Sequence, residues 1–405
     1  MRINSYIALV VIFLHSIAAT GSDCATEVKK NTFLWSVRHP SLSSRGFLFG
    51  TIHVPYTEVW SQVSDRVREA FAFSDTVLLE VNLSDESTVR KLIKCKNLKR
   101  RLTARSYLPP KLYSRIDTFM TSLRQNLPVI RHSISSNTTD STKRVTEMYE
   151  GLTGSWNRKR PEWLLFLLYQ LTENIVDRAS TPMLDLFLAQ RAMDEGKDIM
   201  SIETTEEQCN PIVSITDDEI IFAINFTTSY LEHLFSPDRK KIKRSRSISD
   251  LVQHYRCGSL VEDVFNGNDM TRYNENANIE DNIRAQEIDL KLRTDIITRR
   301  NLLMAQRLDK VLSTSDSSII FSAIGTGHFF GENSIVNHLK DMDYIIEEVT
   351  DGDYLEPPRR IHSQQRFNSL WKREPVIDSV EIELISSASR LSLVTLSVLF
   401  ILLRL

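Results

Sequence analysis

The sequence predicts an α/β fold in which a mixed, largely parallel sheet is flanked by helices. Short apolar runs typical of strands alternate with longer segments of helical periodicity. Two of the apolar runs lead into the same Gly-x-x-His pattern, at 50–53 (Gly-Thr-Ile-His) and 325–328 (Gly-Thr-Gly-His). These matching contexts suggest two related halves, each supplying one such turn.

The first predicted unit spans residues 46–81. Its parts are a strand at 46–49 that runs into the first Gly-x-x-His turn, a helix at 59–73 and a second strand at 76–81. A strand, a helix and a strand within 36 residues (46 to 81) have the size of a βαβ unit. That size favours parallel pairing of the two strands.

The remaining elements are predicted by the same criteria. Helices are expected at residues 161–177, 183–195, 295–312 and 333–339. Strands are expected at residues 198–203, 317–324 and 344–349. Pro161 suits a first helical turn, and Gly196 is typical of a helix C-terminus. Irregular structure is expected in a Ser/Thr-rich segment, a basic run and an Asn-rich stretch, at residues 133–143, 236–249 and 266–281.

Composition limits the functional classes. The 405 residues form one large domain or two smaller ones, and the net charge of −2 gives no support for nucleic-acid binding. The basic run at 236–249 is read as a solvated loop, with a processing site or a polyanion-binding patch as the alternatives.

Both ends of the chain indicate the secretory pathway. Residues 1–21 have the basic start, short apolar run and small residues of a signal peptide, the alternative being an uncleaved anchor. A catalytic domain is expected at 30–355, followed by a stalk at 356–384. Residues 385–403 predict a single-pass type I anchor in the cell membrane, although Arg390 interrupts the apolar run. A GPI signal is the alternative, and in both cases the catalytic domain faces the outside.

Cysteines and glycosylation motifs agree with secretion. The four cysteines allow one or two disulfides, with three possible connectivities that the sequence does not distinguish. The chain has no Cys-x-x-Cys motif, which makes a thiolate zinc site unexpected. Asn82, Asn137 and Asn225 stand in Asn-x-Ser/Thr motifs and are predicted to carry glycans.

The two Gly-x-x-His turns predict a functional site. In each turn a glycine permits a sharp bend or a close backbone approach at the end of a strand. His53 and His328 then point to the crevice where α/β sheets place ligands, and imidazole is both a common metal ligand and a general base. The histidines are 275 positions apart (328 minus 53), so the fold has to bring them together. Either histidine alone would be read as an ordinary loop residue.

Glu80 and Arg300 are the candidates for the rest of the site. Glu80 ends the second predicted strand, where its carboxylate can bind a metal or deprotonate a bound water, or else form an ordinary ion pair. Two histidines and one glutamate leave open coordination positions, as catalytic metal sites require. Arg300 could orient Glu80 or bind a substrate carboxylate, although the neighbouring Arg299 competes for that role.

Five motifs make the chain resemble the TraB/TIKI family, over roughly residues 31–349. In order they are Phe-Gly-Thr-Ile-His at 49–53, Leu-Glu-Val at 79–81, Ser-Ile-Glu-Thr-Thr-Glu-Glu-Gln at 201–208, Arg-Asn-Leu-Leu-Met-Ala at 300–305 and Gly-Thr-Gly-His-Phe-Phe-Gly at 325–331. Trp35, before the first strand, also fits.

With the two terminal segments, the chain looks like the TIKI branch. That resemblance implies a membrane-anchored metalloprotease, dependent on manganese or cobalt, that inactivates Wnt proteins by trimming their amino-terminal region. It also implies that His53, Glu80 and His328 bind the metal and carry out catalysis with support from Arg300. Two other functions are kept open. One is a binding protein that sequesters Wnt or its acyl chain, in which the apolar segment 163–169 helps to form a groove; the alternative for this segment is that it is simply core. The other is a hydrolase of small esters or amides.

Overall fold

A single six-stranded sheet organises the chain, and its strands are β1 (Leu34–Arg38), β2 (Arg45–Thr51), β3 (Thr76–Leu79), β4 (Asp198–Ser201), β5 (Ile319–Gly325) and β6 (Ile345–Glu348). The computed structural model describes residues 32–132, 153–171, 182–236, 248–261, 274–275, 277–315 and 318–357. The spatial order of the strands is β4-β3-β5-β2-β1-β6. β4, β3, β5 and β2 run parallel to one another, whereas β1 pairs antiparallel with both β2 and β6. The expected mixed, largely parallel sheet is confirmed.

Twelve α-helices connect or cover the strands within the described residues. They are α1 (Tyr56–Val59), α2 (Asp65–Phe73), α3 (Glu86–Cys95), α4 (Pro110–His132), α5 (Pro161–Leu171), α6 (Leu184–Asp194), α7 (Thr205–Cys209), α8 (Asp217–Leu234), α9 (Ile248–Arg256), α10 (Ile279–Arg293), α11 (Arg299–Thr314) and α12 (Ile335–Lys340). A π-helical segment, Thr294–Thr298, joins α10 to α11.

Helices cover both faces of the sheet, so its central strands are apolar on both sides. Along β5, Phe321 and Ala323 pack on one face with α2, α6 and α9, while Ile320 and Ile324 pack on the other with α11 and α12. This alternation follows from the two-residue period of a strand. A third core, formed mainly by α4, α5, α8 and α10, lies apart from both faces of the sheet. Residues 163–169 belong to this third core and are buried, in agreement with the alternative that this segment is simply core.

One disulfide within the described residues joins two of the covering helices. Cys95 at the end of α3 is bonded to Cys209 at the end of α7. This pairing is one of the three connectivities that the sequence left open.

Several predicted boundaries were wrong for identifiable reasons. The helix predicted at 59–73 is two helices, because the Ser64 hydroxyl accepts a hydrogen bond from Arg66 N and starts α2 anew. The helix predicted at 295–312 continues back through the π-helical segment into α10, whose first turn is capped by Asn278. The Asn-rich stretch at 266–281 is therefore partly helical.

Other predicted features fall outside the described residues: the signal peptide, the anchor, the Ser/Thr-rich segment, and most of the stalk and of the basic segment. Among the helices of the described part of the chain, none combines the length and hydropathy of a membrane span. Gly196 follows α6 with a positive φ of 69°, in agreement with the predicted helix stop.

Candidate active site

Four parallel strands end at one edge of the sheet, and each is followed within three residues by a polar side chain that is buried. Going across the sheet from β4 to β2, these are Glu203, Glu80, His328 and His53. Crevices outside the carboxyl ends of parallel strands are the usual ligand sites of α/β sheets. The structure therefore brings the three predicted metal-binding residues to one place.

The two Gly-x-x-His turns lie side by side because β2 and β5 are adjacent and in register, with Gly50 opposite Ile324. The Thr326 hydroxyl donates a hydrogen bond of 2.7 Å to the Thr51 carbonyl, which joins the turns directly. A Cβ atom on Gly50 would lie 3.0 Å from Thr326 Oγ1 and 3.4 Å from the ring of Phe329. The expected need for glycine at this close approach is confirmed for Gly50.

His328 is held by Asn301, the third residue of α11. The Asn301 amide nitrogen donates to the Asn333 carbonyl over 2.7 Å, so the amide oxygen is left to face His328 Nδ1 at 2.5 Å. Nδ1 is therefore the donor, and Nε2 keeps its lone pair. Burial, together with the charges of Arg300 and His53, holds the pKa of His328 well below its usual value. The ring is therefore neutral, as a metal-binding imidazole must be.

His53 is fully buried, and its side chain lies against Asp185 of α6. His53 Nδ1 is 2.6 Å from Asp185 Oδ2, but the two atoms are outside hydrogen-bonding geometry. The other oxygen, Asp185 Oδ1, accepts a hydrogen bond of 2.9 Å from the Thr51 hydroxyl.

Glu80 bridges β3 to the second turn. Its Oε1 accepts a hydrogen bond of 2.7 Å from Gly325 N, and its Oε2 lies 3.6 Å from Arg300 Nη2. Burial raises the pKa of Glu80 to about 8 and Glu203 adds to the rise, while Arg300 opposes it. In the absence of a cation, burial thus disfavours the carboxylate charge of Glu80.

Arg300 is confirmed as the buried arginine of the pair at 299–300. It is 3% exposed, whereas the side chain of Arg299 is 42% exposed and reaches Asp295. The Arg300 guanidinium donates to both carboxylate oxygens of Glu203 and to the Ile296 carbonyl. Ile296 lies in the π-helical segment, a feature often found at functional sites.

The residues at this edge of the sheet fit a divalent cation by their donor chemistry. Both His53 nitrogens, Glu80 Oε2 and Asp185 Oδ2 are buried without a hydrogen-bond partner. Buried polar atoms are normally hydrogen-bonded, and carboxylate oxygens with imidazole nitrogens suit first-row divalent metals. Within the described ranges, no three or more His, Cys, Asp or Glu side chains lie close enough together to hold a metal ion as they stand.

Sequence reasoning missed three residues of the site: Asp185, Glu203 and Asn301. Asp185 and Asn301 lie on helices, away from the strand ends that carried the prediction. A signal existed for Glu203, which follows a predicted strand in the same way as Glu80.

The glycosylation motifs lie in different settings. Asn82 follows β3, and its amide oxygen accepts hydrogen bonds from Ser84. Asn225 is exposed on α8, with its amide oxygen 2.6 Å from Arg115 Nη1. Asn137 lies outside the described residues. Glycan attachment at all three stays a prediction.

Comparisons with known proteins agree with these motifs. The profile of the TraB/PrgY/gumN family matches residues 33–348. The chain is 32% identical to the Metalloprotease TIKI homolog of Nematostella vectensis, in an alignment that covers 87% of this chain and 73% of that protein. It is 34% identical to Metalloprotease TIKI2 of Danio rerio (86% and 66% covered) and 31% identical to Metalloprotease TIKI1 of Homo sapiens (80% and 63% covered). No solved structure matches the chain. From residue 33 to residue 348, therefore, this chain belongs to the TraB/PrgY/gumN family, alongside proteins named TIKI metalloproteases.

Proposed function

We propose that this protein is a metal-dependent peptidase that cleaves the amino-terminal region of Wnt proteins and so inhibits Wnt signalling. The observation that carries the proposal is the set of buried imidazole and carboxylate atoms without hydrogen-bond partners at the carboxyl ends of the parallel strands. Relatives named metalloproteases support the reaction class and a protein substrate. The choice of Wnt rests on the resemblance to the TIKI branch.

His53, His328 and Glu80 would hold the divalent ion, for which Mn²⁺ or Co²⁺ are the candidates. The bound ion would act as a Lewis acid on the scissile carbonyl and lower the pKa of a water. Glu80 either completes the metal shell or accepts the proton of that water. Asn301 keeps His328 in the tautomer whose Nε2 is free. Residues that hydrogen-bond to a metal-binding histidine commonly fix its tautomer in this way.

Arg300 has the role of orienting Glu80 in this proposal. Its guanidinium is buried and already bonded to Glu203 and to a backbone carbonyl, while Nη2 lies 3.6 Å from Glu80 Oε2. A buried arginine with these partners is poorly placed to receive a substrate carboxylate. The structure therefore favours the first of the two roles predicted for Arg300.

We also propose that the enzyme acts at the outer surface of the cell membrane. The signal peptide at 1–21, the glycosylation motifs and the apolar tail at 385–403 support this location. Treatment of expressing cells with a phosphatidylinositol-specific phospholipase tests the type of anchor. Retention of the protein is expected for a type I anchor, and release would indicate GPI attachment.

The rival functions predict different products. A binding protein would inhibit Wnt stoichiometrically without cleaving it, and residues 163–169, which could have helped to form its groove, are buried in the helical core. A hydrolase of small esters or amides would leave Wnt intact but turn over a small substrate. Mass spectrometry of the Wnt chain after incubation separates all three possibilities.

The decisive experiment incubates full-length protein, purified in detergent, with a Wnt protein and Mn²⁺ or Co²⁺. We expect a shortened Wnt amino terminus that is absent after chelation and returns when metal is restored. A His53→Ala/His328→Ala variant should bind no metal and lose activity, whereas His338→Ala, on α12 outside the site, should behave as the parent. Full cleavage by the metal-free protein, or by the folded double variant, would refute the proposal.

A further inference from the structure

Asp185 is held against the first Gly-x-x-His turn by the backbone. Leu184 N donates to the Val54 carbonyl over 3.0 Å, and Tyr56 N donates to the Pro182 carbonyl over 3.0 Å. Pro55 and Met183 form the antiparallel bridge between these bonds. The start of α6 is therefore tied to the residues that follow His53, and its first turn faces the site.

The Asp185 carboxylate has one oxygen fixed and one oxygen unpaired. Thr51 Oγ1 donates to Oδ1, whereas Oδ2 is buried without a hydrogen bond. Within the described residues, His53 is the one basic group within 4.0 Å of Asp185. The side chain is 13% exposed, so water does little to offset its charge.

His53 gives a second observation at the same place. Its side chain is completely buried, and neither ring nitrogen has a hydrogen-bond partner. Nδ1 lies 2.6 Å from Asp185 Oδ2 without hydrogen-bonding geometry. A cation in contact with both atoms would give each of them the partner that it lacks.

Glu80 supplies a second carboxylate oxygen in the same condition. Its Oε2 is buried without a hydrogen-bond partner, and the nearby Arg300 Nη2, 3.6 Å away, is already bonded to Glu203. One oxygen each of Asp185 and Glu80 is therefore buried without a hydrogen bond. Carboxylate oxygens are donors that divalent cations take.

We propose that Asp185 is a further metal ligand, presented by α6 and oriented by Thr51. The proposal rests on the metal site of the proposed function and extends it to two imidazoles and two carboxylates. Carboxylate and imidazole donors together suit Mn²⁺ and comparable divalent ions. Asp185 binds the cation directly and does not serve as a hydrogen-bonded support for His53.

Mn²⁺ itself is the probe that tests this role. Full-length protein is stripped of metal with chelator, and Mn²⁺ affinity is measured by calorimetry and by the electron paramagnetic resonance signal of free Mn²⁺. We expect D185N to weaken Mn²⁺ binding by at least about tenfold. Thr51→Val should weaken it less, because the Asp185 carboxylate remains and loses only the hydrogen bond that orients it. The control is D194N, an exposed aspartate at the end of α6 bonded to Gln190, which should bind Mn²⁺ as the parent does.

The melting temperature of the metal-free protein separates a ligand from a structural residue. Removing an uncompensated buried charge should leave the melting temperature of metal-free D185N unchanged or higher, while the rise on adding Mn²⁺ shrinks. If D185N does not fold, D185E keeps the carboxylate and should retain Mn²⁺ binding. The inference would be overturned if D185N bound Mn²⁺ as tightly as the parent. A lower melting temperature of metal-free D185N together with unchanged Mn²⁺ affinity would likewise show that Asp185 is a structural residue.

The same measurements distinguish this inference from the proposed function. Mn²⁺ binding that depends on Asp185, without cleavage of Wnt, would refute the function and leave the ligand assignment standing. If Wnt is cleaved but Mn²⁺ affinity is the same with and without the Asp185 carboxylate, the proposed function stands and the ligand assignment is refuted.

Discussion

Arg300 and Glu203 form a two-pronged ion pair in the interior of the protein, with Arg300 Nε 2.6 Å from Glu203 Oε1 and Nη2 bonded to Oε2. Gln208 also donates to Oε2 of Glu203. This fixed pair sets the position of the guanidinium, whose Nη2 lies 3.6 Å from Glu80.

Replacing Arg300 by lysine should therefore be costly although the charge is kept. A lysine ammonium cannot make the two parallel bonds of a guanidinium. We expect Arg300→Lys to lower the free energy of unfolding by about 3 kcal/mol, as for a broken buried ion pair. Arg299→Lys is the matched control and should change it by less than about 1 kcal/mol, because that side chain is 42% exposed. Urea denaturation measures both, and equal losses would contradict the assignment.

Gly50 should not tolerate a methyl group. A Cβ atom there would lie 3.0 Å from Thr326 Oγ1 and 3.3 Å from Thr326 Cγ2, at the contact between the two Gly-x-x-His turns. We expect Gly50→Ala to destabilise the fold by about 1 to 3 kcal/mol and to reduce Mn²⁺ affinity, because the turns must move apart. Gly352→Ala meets no atom within 4 Å and should be neutral in both measurements. Thermal denaturation with and without Mn²⁺ checks the pair, and a neutral Gly50→Ala would show that the turns can separate freely.

The Cys95–Cys209 disulfide should contribute strongly to stability because it closes a loop of 114 residues. For a loop of that length, loss of the bond is expected to lower the free energy of unfolding by about 4 kcal/mol, mainly through the entropy of the unfolded chain. The Cys95→Ala/Cys209→Ala variant tests this by denaturant titration. A midpoint unchanged from the parent would mean that the contacts between α3 and α7 hold this region without the bond.

Glu207 should make the protein sensitive to acid. A hydrogen bond from Arg307, together with bonds from Thr204, lowers the pKa of Glu207 from 4.5 to about 2. Because the folded pKa is below the unfolded one, the stabilisation is complete above pH 4.5 and is lost as the pH falls from 4.5 towards 2. Glu207→Gln should flatten this part of the stability profile. Glu206→Gln is the control: in the parent, Glu206 accepts a hydrogen bond from Asn210, and the variant should keep the loss of stability below pH 4.5. If Glu207→Gln also keeps that loss, Glu207 is not its source.

The strand ends of the site could be predicted from the sequence because the signal there is local. His53, Glu80 and His328 each follow an apolar run within three residues, and parallel strands end at the same edge. β3 and β4 stop two residues earlier than predicted, which leaves Glu80 and Glu203 beyond the strands. The buried position of Arg300 follows from the face of α11 that packs on the sheet.

Asp185 and Asn301 could not be predicted in the same way. Asp185 reaches the site through backbone bonds between residues 54–56 and 182–184, more than 120 positions apart, and no local pattern encodes that pairing. Asn301 acquires its role because Asn333 takes up its amide hydrogens. β1 was missed because its sequence, Leu-Trp-Ser-Val-Arg, has no continuous apolar run: only Leu34 and Val37 of this strand are buried.

The position of β5 between β2 and β3 has a consequence for biosynthesis. The strands that carry His53 and Glu80 do not touch each other, and the strand inserted between them is translated about 240 residues after the end of β3 (319 minus 79). Contacts of this sequence separation form late in folding. A ribosome-bound or truncated chain that ends before Gly325 would lack Glu80's hydrogen-bond donor as well as His328. The proposed peptidase would thus stay inactive until its chain has been synthesised past His328, without needing a separate inhibitory segment.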